Sequence, residues 1–375
     1  MTFTIITHVS HIQKDGKYYA YEPYVKEMNL WLTYVDKVII VAPLDASRSI
    51  SNIDISYEHE DIDFRPISSF NVLTWKSRVK ALFAILPIMA AIFKASKQAD
   101  HLHLRCPGNI GLLGSLVQVF FPKKVKTIKY AGNWDPKAKQ PKSYNFQKRV
   151  LSNTFFTKNA SVLAYGVWEN QTKNIVPFFT ASFSKEEITK PVEKKLSETI
   201  KLIYVGSFLK SKQPMYSLKV AETLVRKGEK VTLDMYGDGV ERQRIESYVQ
   251  ENCLENIVNI HGNQPKETIK QAYKESHFLI FISKSEGWPK VVAESMFFSC
   301  LPISSKVSCV PYMLGNGERG SLVDAESIDE VVTEVLFYTE NQEIYNKKLM
   351  NAREWSQKYT LEYFTNEIKK FLDHE

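Results

Sequence analysis

Short apolar runs alternate with segments of helical period along the whole chain. That alternation restricts the fold to parallel sheets covered by helices. In the first half, strands are predicted near 2–8, 37–42, 101–105, 125–130, 161–165 and 174–177, with helices near 19–34, 76–97, 109–120 and 144–156. In the second half, strands near 200–206, 231–236, 257–261, 278–283 and 301–304 alternate with helices near 214–227, 239–252, 266–275, 289–298, 326–339 and 342–357. Two such sets predict two doubly wound α/β domains, and a length of 375 residues suits two. The polar stretch 182–199 carries Lys185, Glu186, Glu187, Lys190 and Pro191 and is expected as the linker. The first domain is therefore expected over 1–182 and the second over 200–357.

Composition narrows the partners. Residues 1–190 hold 25 Lys and Arg against 15 Asp and Glu, and the excess gathers in 76–149, where 15 basic residues face only Asp100 and Asp135. A basic block of this kind attracts anionic surfaces. It contains the helix 75–97, whose apolar centre 81–93 is too short to span a bilayer and is interrupted by Pro87. That helix suits either a buried core or the plane of a membrane interface, with lysines at its ends. No RNA- or DNA-binding module accompanies the charge, so no nucleic acid partner is expected. The start of the chain lacks a basic segment and reads as a first strand, so no signal peptide is expected. Cys106, Cys253, Cys300 and Cys309 have no metal-ligand spacing and are expected as reduced thiols.

The densest chemistry lies in Ser285-Glu286-Gly287-Trp288-Pro289-Lys290-Val291-Val292-Ala293-Glu294. An apolar strand precedes it and a helix opens within it, with proline in the first turn. A strand, a loop and a helix N-terminus offer free backbone amides, here those of Lys290, Val291 and Val292, to an anion. Two carboxylates flank that cradle, which suits a ligand carrying hydroxyls beside a phosphate. Upstream, Gly206-Ser207-Phe208 leaves another strand, with Lys210 and Lys212 in the loop before the next helix. Gly237-Asp238-Gly239 forms a turn whose glycines permit close backbone approach.

These residues resemble the retaining glycosyltransferases of family 4, which have the GT-B fold of two doubly wound Rossmann-like domains facing a cleft. Glu286 and Glu294 match the Glu-x7-Glu motif, followed by Leu301-Pro302-Ile303 and by Gly317-Glu318-Arg319-Gly320-Ser321-Leu322-Val323. Leu202 to Ser207, Lys212 and the Gly237-Asp238-Gly239 turn fall in the family's register. The resemblance implies a sugar donor carried by a nucleotide diphosphate and bound by Gly206, Ser207, Lys212, Gly237, Gly239, Glu286, Lys290, Val291, Val292 and Glu294. Glu294 would accept from the ribose, Glu286 from the hexose, and Lys212 would meet the diphosphate. Ser207 departs from the pattern, since the family often has Arg there. The resemblance also implies no cofactor, no metal, retention at the anomeric carbon, and a last helix, 358–375, that packs back on the first domain.

The first domain would bind the acceptor, a glycan or lipid-linked hydroxyl. Its loop after the first strand has only Gly16. The strand end at Asn133-Trp134-Asp135 lacks the histidine that many relatives carry, so Asn133 or Asp135 is expected in its place, with His103 or Arg105 reaching in from the neighbouring strand. Family and charge together imply a cytoplasmic protein, peripheral at the inner face of the cell membrane, that builds a lipid-linked or surface glycan. Two alternatives fit the same residues: another GT-B enzyme such as a nucleotide-sugar 2-epimerase, and a non-catalytic nucleotide-sugar-binding subunit.

Overall fold

The computed structural model describes residues 1–51, 53–69, 75–191, 194–196 and 198–373, with the backbone alone over 75–83. The chain divides into two compact units, Met1–Phe179 together with Phe364–Glu375, and Thr180–Tyr363.

The first unit contains β1 (Thr2–Ile6), β2 (Ile12–Lys14), β3 (Lys17–Tyr21), α1 (Glu22–Leu32), β4 (Lys37–Pro43), β5 (Asp54–Ser56), β6 (Ile62–Ile67), α2 (Trp75–Gln98), β7 (His101–Cys106), α3 (Asn109–Val117), β8 (Val125–Tyr130), α4 (Lys142–Ser152), β9 (Ala160–Tyr165) and β10 (Ile175–Phe178). Its main sheet is seven-stranded and parallel, in the order β10-β9-β8-β7-β1-β4-β6. Helices cover both faces, so central strands such as Lys37–Pro43 are buried on nearly every residue. Along α2, Ile88, Ile92 and Ala95 enter the core while Leu86, Phe93, Lys94 and Lys97 stay exposed. The helix is thus core on one face only. Lys76, Arg78 and Lys80 have side chains outside the described residues.

Sequence reading missed β6 and the small antiparallel sheet β2-β3-β5. The edge strand β6 carries Pro66 and polar residues, so it lacks the apolar run that marks a central strand. The small sheet sets the local conformation at Gly16. Gly16 lies in a tight hairpin turn between Lys14 and Lys17, with Asp15 and Gly16 at φ +49° and +74°. An Asp-Gly pair at positive φ is the chemistry of a two-residue hairpin, and that turn is what Gly16 serves in the fold.

The second unit contains β11 (Ile200–Val205), α5 (Pro214–Arg226), β12 (Val231–Tyr236), α6 (Arg242–Glu251), β13 (Val258–Gly262), α7 (Lys266–Glu275), β14 (Phe278–Phe281), α8 (Lys290–Phe297), β15 (Leu301–Ser305), α9 (Val310–Met313), β16 (Ser321–Val323), α10 (Ile328–Glu340) and α11 (Gln342–Ser356). Its parallel sheet runs β13-β12-β11-β14-β15-β16. The polar stretch before β11 packs onto this unit. Lys194 is buried, donates to the carbonyls of Tyr273 and Ser276, and is held by burial at a pKa of about 8. The last helix, α12 (Leu361–Leu372), places Phe364 against Phe178 and Phe179 of the first unit's own core.

Each main sheet reverses its winding once: between β1 and β7 in the first unit, and between β11 and β14 in the second. Open α/β sheets bind ligands at the carboxyl ends of strands where this reversal occurs.

Candidate functional site

In the second unit the reversal point gathers the residues singled out by sequence. The loop after β11 is clamped in place. Tyr204 Oη donates to the Ser207 carbonyl at 3.1 Å, Lys212 N–H to Leu209 O at 2.9 Å, and Lys284 N–H to Ser211 O at 2.9 Å. Gln213 closes the loop at φ +46°, a left-handed conformation that costs on the order of 1 kcal/mol, and its side-chain amide donates to Ala325 O. Beside this loop runs the turn after β12. A Cβ at Gly237 would lie 1.9 Å from Gly206 O, and one at Gly239 would lie 2.6 Å from Phe208 O. The two glycines therefore let the loops of adjacent strands lie backbone against backbone.

Lys212 reaches across to the loop after β14, where its Nζ pairs with both Glu286 oxygens at 2.5 and 2.6 Å. Glu286 is only 6% exposed and Lys212 27%. A buried carboxylate needs such a partner, and the ammonium stays open to solvent on its other side. Helix α8 begins four residues after Glu286, at Lys290, with Pro289 as its cap. Val292 N–H is already given to Pro289 O at 3.0 Å. The first-turn amides of Lys290 and Val291 have no intrahelical acceptor and carry the positive end of the helix dipole. Ser207 and Lys210 are exposed at the same loop. Arg242, which opens α6, is paired with Asp238 and Glu246.

Glu294 stands about one turn down α8. Its Oε1 accepts the Ser182 hydroxyl at 2.6 Å, and Ser182 O in turn accepts from Lys266. Lys212 and Glu286 are thus in direct contact, the glycines and Ser207 line the same edge, and Glu294 is held by a serine of its own unit.

The first unit treats its predicted residues differently. His103 is 1% exposed, stacks on Phe3, packs at a tilt against Trp31, and hydrogen-bonds Thr127 Oγ1. Burial pushes its imidazole well below the ordinary histidine range, and the ring is closed off from solvent. Asn133 Oδ1 accepts Asp135 N–H at 2.9 Å and Asp135 Oδ1 accepts Lys137 N–H at 2.8 Å, so both side chains build the turn after β8. Arg105 ends β7 close to the reversal point, 5.2 Å above the Tyr24 ring and 3.7 Å from Glu27. Sequence reasoning passed over His8, which leaves β1 at that same point and packs over Gly108 at the start of α3. Partial burial and then the Arg105 charge hold its imidazole below the ordinary range. A histidine directly after the first strand was the available signal.

Residues 185–355, which make up most of the second unit, match the family described as Glycosyl transferases group 1. The chain is 29% identical over 175 residues to an uncharacterized glycosyltransferase of Haemophilus influenzae, an alignment that takes in 46% of this chain and 48% of the relative. It is 24% identical over 207 residues to an uncharacterized glycosyltransferase of Methanocaldococcus jannaschii, covering 50% and 58%. The chain spans about half the length of these curated relatives. Across 99% of both chains it superposes on Anabaena HepE, solved with UDP and glucose, with a TM-score of 0.67 and 14% identity. The fold is that of the GT-B glycosyltransferases.

Proposed function

We propose that the chain is a retaining, metal-independent glycosyltransferase that moves a sugar from a UDP-linked donor to a hydroxyl of a lipid-linked or surface glycan. The observation that carries this reading is the Lys212–Glu286 pair at the reversal point of the second sheet, beside the open amides of α8. A UDP-sugar presents a diphosphate next to a ring of hydroxyls. Lys212 turns from Glu286 to the diphosphate and Glu286 turns to the hexose hydroxyls, so each charge keeps a partner. The negative charge that grows on the leaving diphosphate is met by Lys212 and by the α8 amides, fixed before the reaction begins. Glu294 takes the ribose. In the first unit, His8 and Arg105 hold the acceptor. Retention follows from the likeness of Glu286 and Glu294 to the family 4 motif, and UDP from HepE. The setting is the cytoplasmic face of the membrane, where lipid-linked glycans are extended.

One observation favours a second reading. Asn133, Asp135 and His103 are engaged in the fold, which suits a nucleotide-sugar 2-epimerase needing no acceptor. Thermal shift against UDP-, GDP- and ADP-sugars separates the cases. A UDP-sugar at about a hundred times its Kd should stabilise the native state by about 2.7 kcal/mol. Acceptor-free conversion of that donor to its epimer supports the second reading. Stabilisation by no nucleotide sugar overturns both.

A further inference from the structure

The amino edge of the first sheet carries a surface that the donor chemistry does not use. Three segments meet there, each leading into a strand: the end of α2 before β7, residues 118–124 before β8, and residues 153–159 before β9. They are laced together. Lys124 Nζ donates to Lys97 O, Gln118 Nε2 to Phe156 O, and Asn159 Nδ2 to Lys123 O. On this frame stand apolar side chains facing solvent: Phe93 is 43% exposed, Phe120 67%, Phe155 71% and Phe156 45%. Phe93 lies 6.3 Å from Phe120, and Phe155 lies 5.5 Å from Phe156. Exposed apolar groups gathered in one patch mark an interaction surface.

The charge around them has one sign. Residues 86–98, 118–126 and 153–159 hold Lys94, Lys97, Lys123, Lys124, Lys126 and Lys158 and no Asp or Glu. Lys158 Nζ lies 4.9 Å from the Phe155 ring centre. A groove of about 600 Å³ runs along the exposed side of α2, with Pro87, Ala90 and Ala91 as its floor and Arg65, Lys94 and Lys97 on its rim. Among the described residues no helix is long and apolar enough to cross a membrane.

We propose that this edge docks the protein on an anionic lipid bilayer. Phe120, Phe155 and Phe156 enter the headgroup layer, and Lys94, Lys97, Lys123 and Lys158 meet lipid phosphates. The complementarity decides the occupant. Aromatic rings at the depth of a lysine collar suit a surface that is apolar inside and anionic outside. A second copy of the chain would bring the same lysines face to face. Docking here leaves the carboxyl edge of the sheet, with His8 and Arg105, on the side away from the lipid. A strand of six residues sets that height at roughly 20 Å.

Flotation of the full chain with vesicles tests this, using neutral phosphatidylcholine and an equimolar mixture of phosphatidylcholine and phosphatidylglycerol. Wild type should float with the anionic vesicles alone and be released by high salt. Changing Lys94, Lys97, Lys123 and Lys158 to Gln should weaken binding by about a hundredfold or more, since each lysine near an anionic surface is worth about fivefold. Phe120→Ser with Phe155→Ser should weaken it by about tenfold. All six positions are exposed, and an unchanged unfolding midpoint confirms that each variant is folded. Equal flotation of wild type and the lysine variant overturns the proposal, as does equal binding to neutral vesicles. Self-association in sedimentation that the same substitutions abolish, without vesicle binding, assigns the patch to a second copy and also overturns it. Flotation needs neither donor nor acceptor, so its failure leaves the transferase reading intact.

Discussion

The reversal point of the second sheet opens onto Lys212 and Glu286, two charges that face each other across neighbouring loops. That of the first sheet opens onto His8 and Arg105, and the other polar groups near it are consumed by the fold. Lys129 is fully buried, donates to Phe179 O and lies 3.8 Å from Glu27. His11 is fully buried too, giving Nδ1–H to Val9 O and accepting from Tyr57 at Nε2. The two edges share one topology and differ in what their polar groups are free to do. In the second unit the partners are side chains that a ligand's own charges and hydroxyls can replace. In the first they are backbone carbonyls and buried rings, which a ligand cannot replace without unfolding the edge.

The largest test of that contrast is catalytic. Lys212→Ala should cut turnover by about 10²–10³, the usual cost of losing one preorganised charge at a developing anion. It also leaves Glu286 buried without a partner, so its unfolding midpoint must be measured alongside. Arg105→Ala should act differently, raising the KM for acceptor while donor affinity, read by calorimetry with UDP, stays unchanged. If the two variants lose turnover equally, the first edge holds reacting chemistry and the contrast is wrong. If Lys212→Ala transfers sugar at the normal rate, another group neutralises the diphosphate.

Acid sharpens the comparison from the stability side. Each unit holds a histidine that burial lowers to about 4, His11 in the first and His277 in the second. His277 Nδ1 accepts Lys201 N–H at 3.0 Å, a bond that its protonation would destroy. The unfolded chain takes up a proton near pH 6.5 and the folded one resists until about 4. Stability from each histidine is therefore complete above pH 6.5 and is lost as pH falls toward 4. The loss is about 3 kcal/mol per residue. Urea unfolding at pH 7 and pH 5, followed by tryptophan fluorescence, reads it. His277→Asn should flatten the dependence in the second unit alone, where Trp288 and Trp355 report. Dependence unchanged by that substitution would assign the acid sensitivity to other groups.

The same contrast explains what was legible in the sequence. The second unit's site is built from short local patterns, strand, loop and helix start, so Glu286, Lys212 and the Gly237 turn could be read in one dimension. In the first unit the site depends on which strands are neighbours. That β1 lies beside β7, bringing His8 to Arg105, follows from strand order and not from any local run. His103 misled for a related reason. The alternating residues of β7 suggest one wet face, but helices cover both sides of a parallel sheet and both faces are buried. Asn133 and Asp135 carry functional chemistry in their side chains, and turns use that same chemistry to build themselves. Gly16 had a readable signal, the Asp-Gly pair of a two-residue hairpin.

The smallest expected effect bears on whether the second unit's partners are in fact replaceable. Glu294 Oε1 accepts from the Ser182 hydroxyl. If ribose hydroxyls take over that oxygen, Ser182 competes with the donor. Glu294→Ala should then weaken UDP binding by about 1.5–3 kcal/mol, the range for hydrogen bonds to a charged group. Ser182→Ala should do the opposite and tighten it by about 1 kcal/mol, close to fivefold. The corresponding change in the first unit, Asn133→Ala, removes a turn bond that no ligand replaces, so it should lower stability by about 1 kcal/mol and improve no binding. Calorimetry with UDP and urea unfolding read all three. Weaker UDP binding in Ser182→Ala would mean that Ser182 orients Glu294 toward the ribose and stays in place when the donor arrives. The second edge would then be preset like the first, and the difference between the two would lie only in charge.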